Sequence, residues 1–471
     1  MRYISTRGEA PALGFDDAML AGLARDGGLY VPETWPRLLP ETMAGFAQSS
    51  FAEVAASVLA LFAGEAIPRA ELLHMTREAY ARFRHPAVTP LVQIDRNLWV
   101  LELFHGPTLA FKDVAMQLLA RLMDRVLAAR NEHVTIVCAT SGDTGGAAVE
   151  AFRGRKRAEA VVLFPRGRIS DVQRRMITTA REANVHAVAI EGTFDDCQAL
   201  VKAMFNDFAF RDRVKLAGVN SINWARVVAQ ITYYFAAASS LGALHRKVAF
   251  SVPTGNFGDI FAGYAAKRMG LPVGQLVIAT NENDILQRTH ASGVYEVRDV
   301  VTTTSPSMDI QVSSNFERYL YEASNRDAAE VRGKMGALRQ SGRFELSKTT
   351  SSAMRADFAA AGATMAEVEQ SIRQVRKRSG YLLDPHTACG LVALDKAVPA
   401  GNETARVLLA TAHPAKFPQT MKAITGESPS LPPGLASLMT DDERITVLPN
   451  DVAAVQRFVL EAAGAATGAT A

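Results

Sequence analysis

The sequence predicts an α/β protein: two doubly wound α/β lobes with parallel sheets, preceded by a small, mostly helical N-terminal domain. Three observations carry this. The chain has 471 residues, too many for one ordinary core. Residues 1 to about 85 hold Ala-rich segments near 16–25, 50–63 and 69–83, interrupted by the turn-forming RDGGLYVPETWP and RHPAVTPL. Beyond them, short β-branched runs alternate with Gly-rich or polar turns and helical stretches, the pattern of parallel sheets covered by helices on both faces. The expected divisions are 1–88, an α/β region at 89–435, and a C-terminal segment at 436–471.

The alternating units follow in order. VTIVCAT (134–140) leads into SGDTGGAAVEAF, AVVLFP (160–165) into RGRISDVQRRMITTA, and VKLAGV (214–219) into NSINWARVVAQITYYF. KVAFSVP (247–253) leads into TGNFGDIFAGYAAKRMG, and ARVLLAT (405–411) into AHPAKFPQTMKAI. In such sheets ligands collect beyond the carboxyl ends of strands, where helix N-termini face the crevice. The closing EAAGAATGATA (461–471) lacks bulk and is expected to fray.

Composition narrows the function classes. Fifty-one basic and 48 acidic residues leave a net charge of +3, without the basic stripe a nucleic-acid binder needs; RGRKR (153–157) reads as a solvated helix end. Cys138, Cys197 and Cys389 lie far apart and outside any CxxC spacing, so neither disulfides nor a zinc site is expected, and a reducing cytoplasm fits. The N-terminus lacks the apolar run of a secretory signal. The apolar stretch 227–244 contains Gln230, Thr232, Ser239 and Ser240, which favours a buried helix over a membrane span.

Chemistry centres on Lys112 in HGPTLAFKDVAMQLLARLM (105–123). Phe111, Val114, Ala115, Leu118, Leu119, Leu122 and Met123 recur at helical spacing, so a helix begins where Lys112 sits. A helix N-terminus repels an ammonium, and burial would desolvate it, so this lysine gives up its proton readily and becomes an amine nucleophile and base. The bland alternative is a lysine that snorkels to water. SGDTGG (141–146) and TGNFGD (254–259) offer free backbone N–H groups to anions, although either could be a structural turn. Neither has the spacing of a nucleoside-triphosphate or dinucleotide loop. NSINWAR (220–226) places Asn220 and Ser221 at an expected helix start and Arg226 about a turn and a half later, a set able to grip phosphate; plain capping with Arg226 on a wet face is the alternative. An aldehyde-bearing phosphate such as pyridoxal phosphate would explain the lysine and one anion loop together. Glu102, Asp113 and Asp259 are expected in surface or capping roles. His105, His386 and His413 lack metal-ligand spacing and no GxSxG elbow accompanies them, so neither a metal site nor a triad is expected.

HGPTLAFKD (105–113), ATSGDTGG (139–146), NSINWAR (220–226), PTGNFGD (253–259), DPHTACG (384–390) and TAHPAKF (411–417), taken in order, closely resemble threonine synthases of the bacterial and fungal type. MRYISTRG and DGGLYVP (26–32) also resemble that family's N-terminal domain, so the likeness runs from residue 1 to about 425. It implies the pyridoxal-phosphate fold type II, similar to the tryptophan synthase β chain. Lys112 then matches the lysine that bonds to the cofactor aldehyde, and Gly255, Asn256, Phe257, Gly258 and Asp259 the cradle of its phosphate. Ser141, Gly142 and Thr144 match a loop for the substrate carboxylate, with Asp143 near the cofactor's hydroxyl edge, where relatives on the wider fold often carry Asn. Asn220, Ser221 and Arg226 match the grip on the substrate's own phosphate. Thr411 is expected to face the pyridine nitrogen, with Thr387 as the rival.

The implied reaction converts O-phospho-L-homoserine to L-threonine and phosphate, by loss of phosphate from Cγ and addition of water at Cβ. Dehydratases and cysteine synthases of the same fold need no second phosphate site, so NSINWAR discriminates against them. The expected protein is a cytoplasmic monomer with a small-molecule substrate, no metal, and neither nucleic acid nor membrane as partner.

Overall fold

The computed structural model describes residues 1–398 and 404–468. Two sheets organise it. In the six-stranded sheet the order is Phe358–Gly362, Val273–Thr280, Val248–Pro253, Ala405–Ala410, Leu98–Glu102, Leu91–Asp95. Its pairings are parallel except the last, an antiparallel hairpin. The five-stranded sheet runs Thr446–Pro449, Val185–Glu191, Ala158–Pro165, Val134–Ala139, Leu216–Ala217, all parallel. The expected alternation is therefore present. The run at 214–219 shrinks to a two-residue strand because Lys215 adopts a left-handed φ of 47° just before it.

The N-terminal helices Phe51–Ala63 and Arg69–Tyr80 form an antiparallel pair, the first fixed by a Ser50–Glu53 capping box. Val54, Val58, Leu59 and Phe62 are buried in one continuous core with Leu118, Leu119 and Leu122 of the helix Lys112–Arg130 and Val227, Val228 and Ile231 of the helix Trp224–Ser240. These early helices thus back directly onto the helices that carry the Lys112 and Arg226 motifs. The segment after the first strand, Tyr3–Ser5, is clamped as well: Arg7 meets Glu317 through two hydrogen bonds of 3.0 and 2.9 Å, and Thr6 adds a third at 2.7 Å.

The C-terminal segment corrects one expectation. Residues 461–468 do not fray but continue the helix Val452–Gly468, because Val455, Val459 and Ala462 pack with Cys197, Leu200 and Met204 beside the five-stranded sheet. The rest of that expected tail, 469–471, lies outside the described residues. The apolar stretch 227–244 falls largely in the buried helix Trp224–Ser240, and no helix among the described residues is long and apolar enough to cross a membrane. The three cysteines are free and buried.

Candidate active site

The motif-bearing loops follow the carboxyl ends of strands from both sheets and meet one another. After the strand Leu98–Glu102, a tight turn carries the chain into the helix Lys112–Arg130, with Lys112 as its first residue as expected. Asp113 fixes this turn by accepting from the backbone N–H and the hydroxyl of Thr108, both at 2.7 Å. It is fully buried, and burial pushes its carboxyl up to about 6 despite these two bonds. The surface or capping role expected for it is not what it fills: Asp113 is an internal latch of the lysine-bearing turn. Phe111 N–H donates to the Thr411 carbonyl at 2.9 Å, tying Lys112 to the loop after Ala405–Ala410.

The Lys112 ammonium position lies 3.2 Å from Asp143 Oδ2 and 5.2 Å from the centre of the Phe111 ring. Burial lowers the Lys112 pKa; Asp143 opposes this, while Lys416 and Arg226 add to it. Asp143 is the hub of the site. Lys416 Nζ stands 2.5 Å from its Oδ1, Gln173 donates to Oδ1 at 3.0 Å and Ser307 to Oδ2 at 3.2 Å. Burial alone would raise the Asp143 pKa, but the charges of Lys112 and Lys416 and the bonds from Lys416 and Gln173 hold it well below the usual carboxylate range. Lys416 and Ser307 escaped the sequence reading. Lys416 lies inside the TAHPAKF run, where a second lysine beside a proline was visible but nothing in the sequence gave its partner; Ser307 carries no signal.

Ser141 and Thr144 are half-buried where the helix Asp143–Phe152 begins, and Gly142 is buried between them. Gly142 must be glycine: its φ is +134°, and a Cβ there would fall 2.4 Å from the Gln173 amide. In the second loop, Gly255 approaches the Ser307 carbonyl so closely that a Cβ would sit 2.8 Å from that oxygen. Ser313 and Asn315 grip the Gly255 and Asn256 carbonyls at 2.5 and 3.0 Å. Phe257 takes a left-handed φ of 63° and Gly258 opens the helix Gly258–Arg268, whose first-turn N–H groups lack intrahelical partners. Asp259 departs from both expectations for it. Its side chain is neither on the surface nor turned to the loop, but accepts from Tyr233 and Tyr234 hydroxyls at 2.5 and 2.9 Å, and burial raises its carboxyl to about 6.

The third motif also shifts. The helix starts at Trp224 under an Asn223 cap, so Asn220 and Ser221 precede it and Arg226 lies in its first turn. Asn220 is exposed and Ser221 half-buried. Arg226 is no wet-face residue: it is 3% exposed, donates to the Val219 carbonyl at 3.3 Å, keeps Nε without a partner among the described residues, and burial lowers its pKa to about 10. Arg318, another residue the sequence did not single out, holds this loop through the Ser221 and Ile222 carbonyls at 3.4 and 2.5 Å.

Of the two candidate threonines, Thr387 has its hydroxyl engaged by Asp384, which also binds His386 at 2.7 Å. The Thr411 hydroxyl has no partner among the described residues, and its backbone is bonded to Phe111 beside Lys112. His105 pairs with Glu102 at 2.7 Å, and the two line a cavity of about 440 Å3 with Arg84, Tyr381 and His413, a lining that excludes Lys112. No group of metal-ligating side chains occurs among the described residues.

A half-buried amine, a free hydroxyl and a glycine-opened helix start are the donor set that an aldehyde-bearing, phosphorylated pyridine requires. The unpartnered Arg226 Nε adds capacity for another anion.

Family models agree with this geometry. Residues 2–80 match a threonine synthase N-terminal model, 83–337 a pyridoxal-phosphate-dependent enzyme model, and 387–459 a threonine synthase C-terminal model. A threonine synthase of Pseudomonas aeruginosa is 51% identical over 98% of both chains. One of Saccharomyces cerevisiae is 40% identical over 98% of this chain and 97% of its own. The crystal structure of a pyridoxal-phosphate-bound threonine synthase from Brucella melitensis superposes with a TM-score of 0.95 at 59% identity, covering 98% of this chain and 99% of that one.

Proposed function

The chain belongs to the threonine synthase family, and on that premise we propose that it converts O-phospho-L-homoserine and water to L-threonine and phosphate, with Lys112 as its catalytic amine. It is a pyridoxal-phosphate-dependent lyase of fold type II. The observation that carries the residue assignment is a half-buried Lys112 whose desolvation favours the neutral amine, set on Asp143 beside the glycine-opened loops.

Bound pyridoxal phosphate supplies an aldehyde for covalent attachment and a conjugated ring that stores electrons. The protein's own groups do the rest. Gly255, Asn256, Phe257 and Gly258 hold the cofactor phosphate through backbone donors at the start of Gly258–Arg268; Asp259 serves from behind, by anchoring that helix to Tyr233 and Tyr234. The Thr411 hydroxyl would hold the pyridine nitrogen and Asp143 the cofactor's hydroxyl edge. Ser141, Gly142 and Thr144 take the substrate carboxylate at the start of Asp143–Phe152. Asn220, Ser221 and Arg226 take the phosphate that leaves from Cγ, and the Arg226 Nε without a partner supports that second anion site.

Lys112, close and neutral, removes the Cα proton and a Cβ proton; one departs with the phosphate and the other is returned at Cγ, after which water adds its hydroxyl at Cβ and its proton at Cα. A low-pKa amine suits both directions of transfer. We propose a cytoplasmic monomer; the free buried cysteines fit a reducing compartment.

Phosphate release from O-phospho-L-homoserine, with and without added pyridoxal phosphate, tests the reading. Lys112→Ala is expected to abolish turnover with an unchanged circular dichroism spectrum. Retained threonine formation by that variant, or a borohydride-fixed cofactor on another lysine, would overturn it.

A further inference from the structure

Two lysines share one carboxylate in the interior of this site. Lys112 stands on one oxygen of Asp143 at 3.2 Å and Lys416 on the other at 2.5 Å. If both were protonated, a buried cluster would carry an uncompensated positive charge, which is costly in low dielectric. Geometry distinguishes the two. The Lys416 side chain is 1% exposed, and its Nζ also donates to the Thr108 carbonyl at 2.9 Å, so two strong acceptors hold it at charge-assisted distance. Lys112 has the longer contact, and the oxygen it faces also accepts from Ser307.

We propose that Lys416 is a positioning residue that holds the ammonium charge on Asp143, so that Lys112 is left as the free amine. This goes deeper into the function proposed above and rests on Lys112 being the catalytic amine. Other groups facing the pair are few. Asp113, beneath Thr108, faces Lys416. Arg226, on Trp224–Ser240, faces Lys112 and opposes its protonation. Gln173, on Asp171–Thr178, is neutral, and His386 with Asp384 reaches the cluster through the Ser307 N–H at 3.2 Å. Among the described residues, Asp143 is the sole carboxylate in contact with either amine. Removing Lys416 therefore transfers the full attraction of Asp143 to Lys112.

The test reloads stripped full-length protein with pyridoxal phosphate across a pH series. The visible band reports attachment, in which the Lys112 lone pair adds to the aldehyde carbon and water leaves. Lys416→Met is expected to raise the pH midpoint of attachment by about one unit or more, and Asp143→Asn to lower it by a similar amount. Lys416→Arg, which keeps the charge, should stay near the native midpoint. An unmoved or lowered midpoint in Lys416→Met overturns the proposal, and should that variant fail to fold, an unmoved midpoint in Asp143→Asn does so. Borohydride reduction and peptide mapping separate the two readings. A label on another lysine defeats the catalytic assignment, whereas a label on Lys112 with immobile midpoints defeats this one alone.

Discussion

Lys112 and Arg226 show how burial turns ordinary side chains into site chemistry. Both are basic groups with pKa values lowered chiefly by desolvation, and Arg226 lies near enough to disfavour a charge on Lys112. An incoming anion pairs with the Arg226 guanidinium. Arg226→Ala is therefore expected to raise KM for O-phospho-L-homoserine at least tenfold, about 1.4 kcal/mol, with little change in pyridoxal-phosphate affinity measured by absorbance titration. Equal loss of both would mean that the two phosphate sites have been exchanged. Lys112 was legible in the sequence because its charge conflicts with its place at a helix start. Lys416 was not, since its meaning depends on Asp143, which is 273 positions distant in a chain whose numbering alone says nothing of proximity.

The loops illustrate how an element can be strained locally and held by packing. Phe257 occupies a left-handed conformation that costs a non-glycine residue about 1–2 kcal/mol. Its ring is 1% exposed and lies 5.3 to 6.0 Å from the centres of Phe316, Tyr319 and Phe358, contacts sufficient to hold that conformation. At Gly142 there is no such compensation. Gly142→Ala would require both an unfavourable φ and displacement of Gln173 from Asp143. Expected is at least a tenfold loss of kcat/KM in the phosphate-release assay, larger than the loss of folding stability would explain; wild-type kinetics would show that the loop tolerates the change. Both glycine loops were visible in the sequence as motifs. Where the Trp224–Ser240 helix starts was misread, because Asn220, Ser221 and Asn223 are all competent caps and tertiary contacts choose among them.

Across the molecule, the pH dependence of stability should carry the imprint of the buried latch Asp113. Its folded pKa of about 6 lies above the ordinary value of about 4, so its contribution is fully present below about pH 4 and is lost as pH rises through 6. The difference is on the order of 2–3 kcal/mol. Urea unfolding of Asp113→Asn should therefore vary less between pH 4 and 7 than that of the parent; parallel curves would show that Asp113 titrates normally. Asp143 acts with the opposite sign in a lower window: its depressed pKa stabilises above the ordinary carboxylate range, and that stabilisation is lost as pH falls below it. At the same scale, Arg7, Thr6 and Glu317 join the segment after the strand Tyr3–Ser5 to the helix Phe316–Ala323, and Arg318 from that helix holds both Tyr30 and the Ser221 loop. The N-terminal region is thereby part of the site's support.

By itself the sequence determined the alternation of strands and helices, the lysine at a helix start and the glycine loops, since each is a local pattern with a local physical cause. Tertiary structure alone decided that Asp143 faces two lysines, that Asp113 and Asp259 turn inward, and that the last helix docks instead of fraying. Those outcomes depend on desolvation and on contacts between segments far apart in the chain, quantities that no window of residues contains.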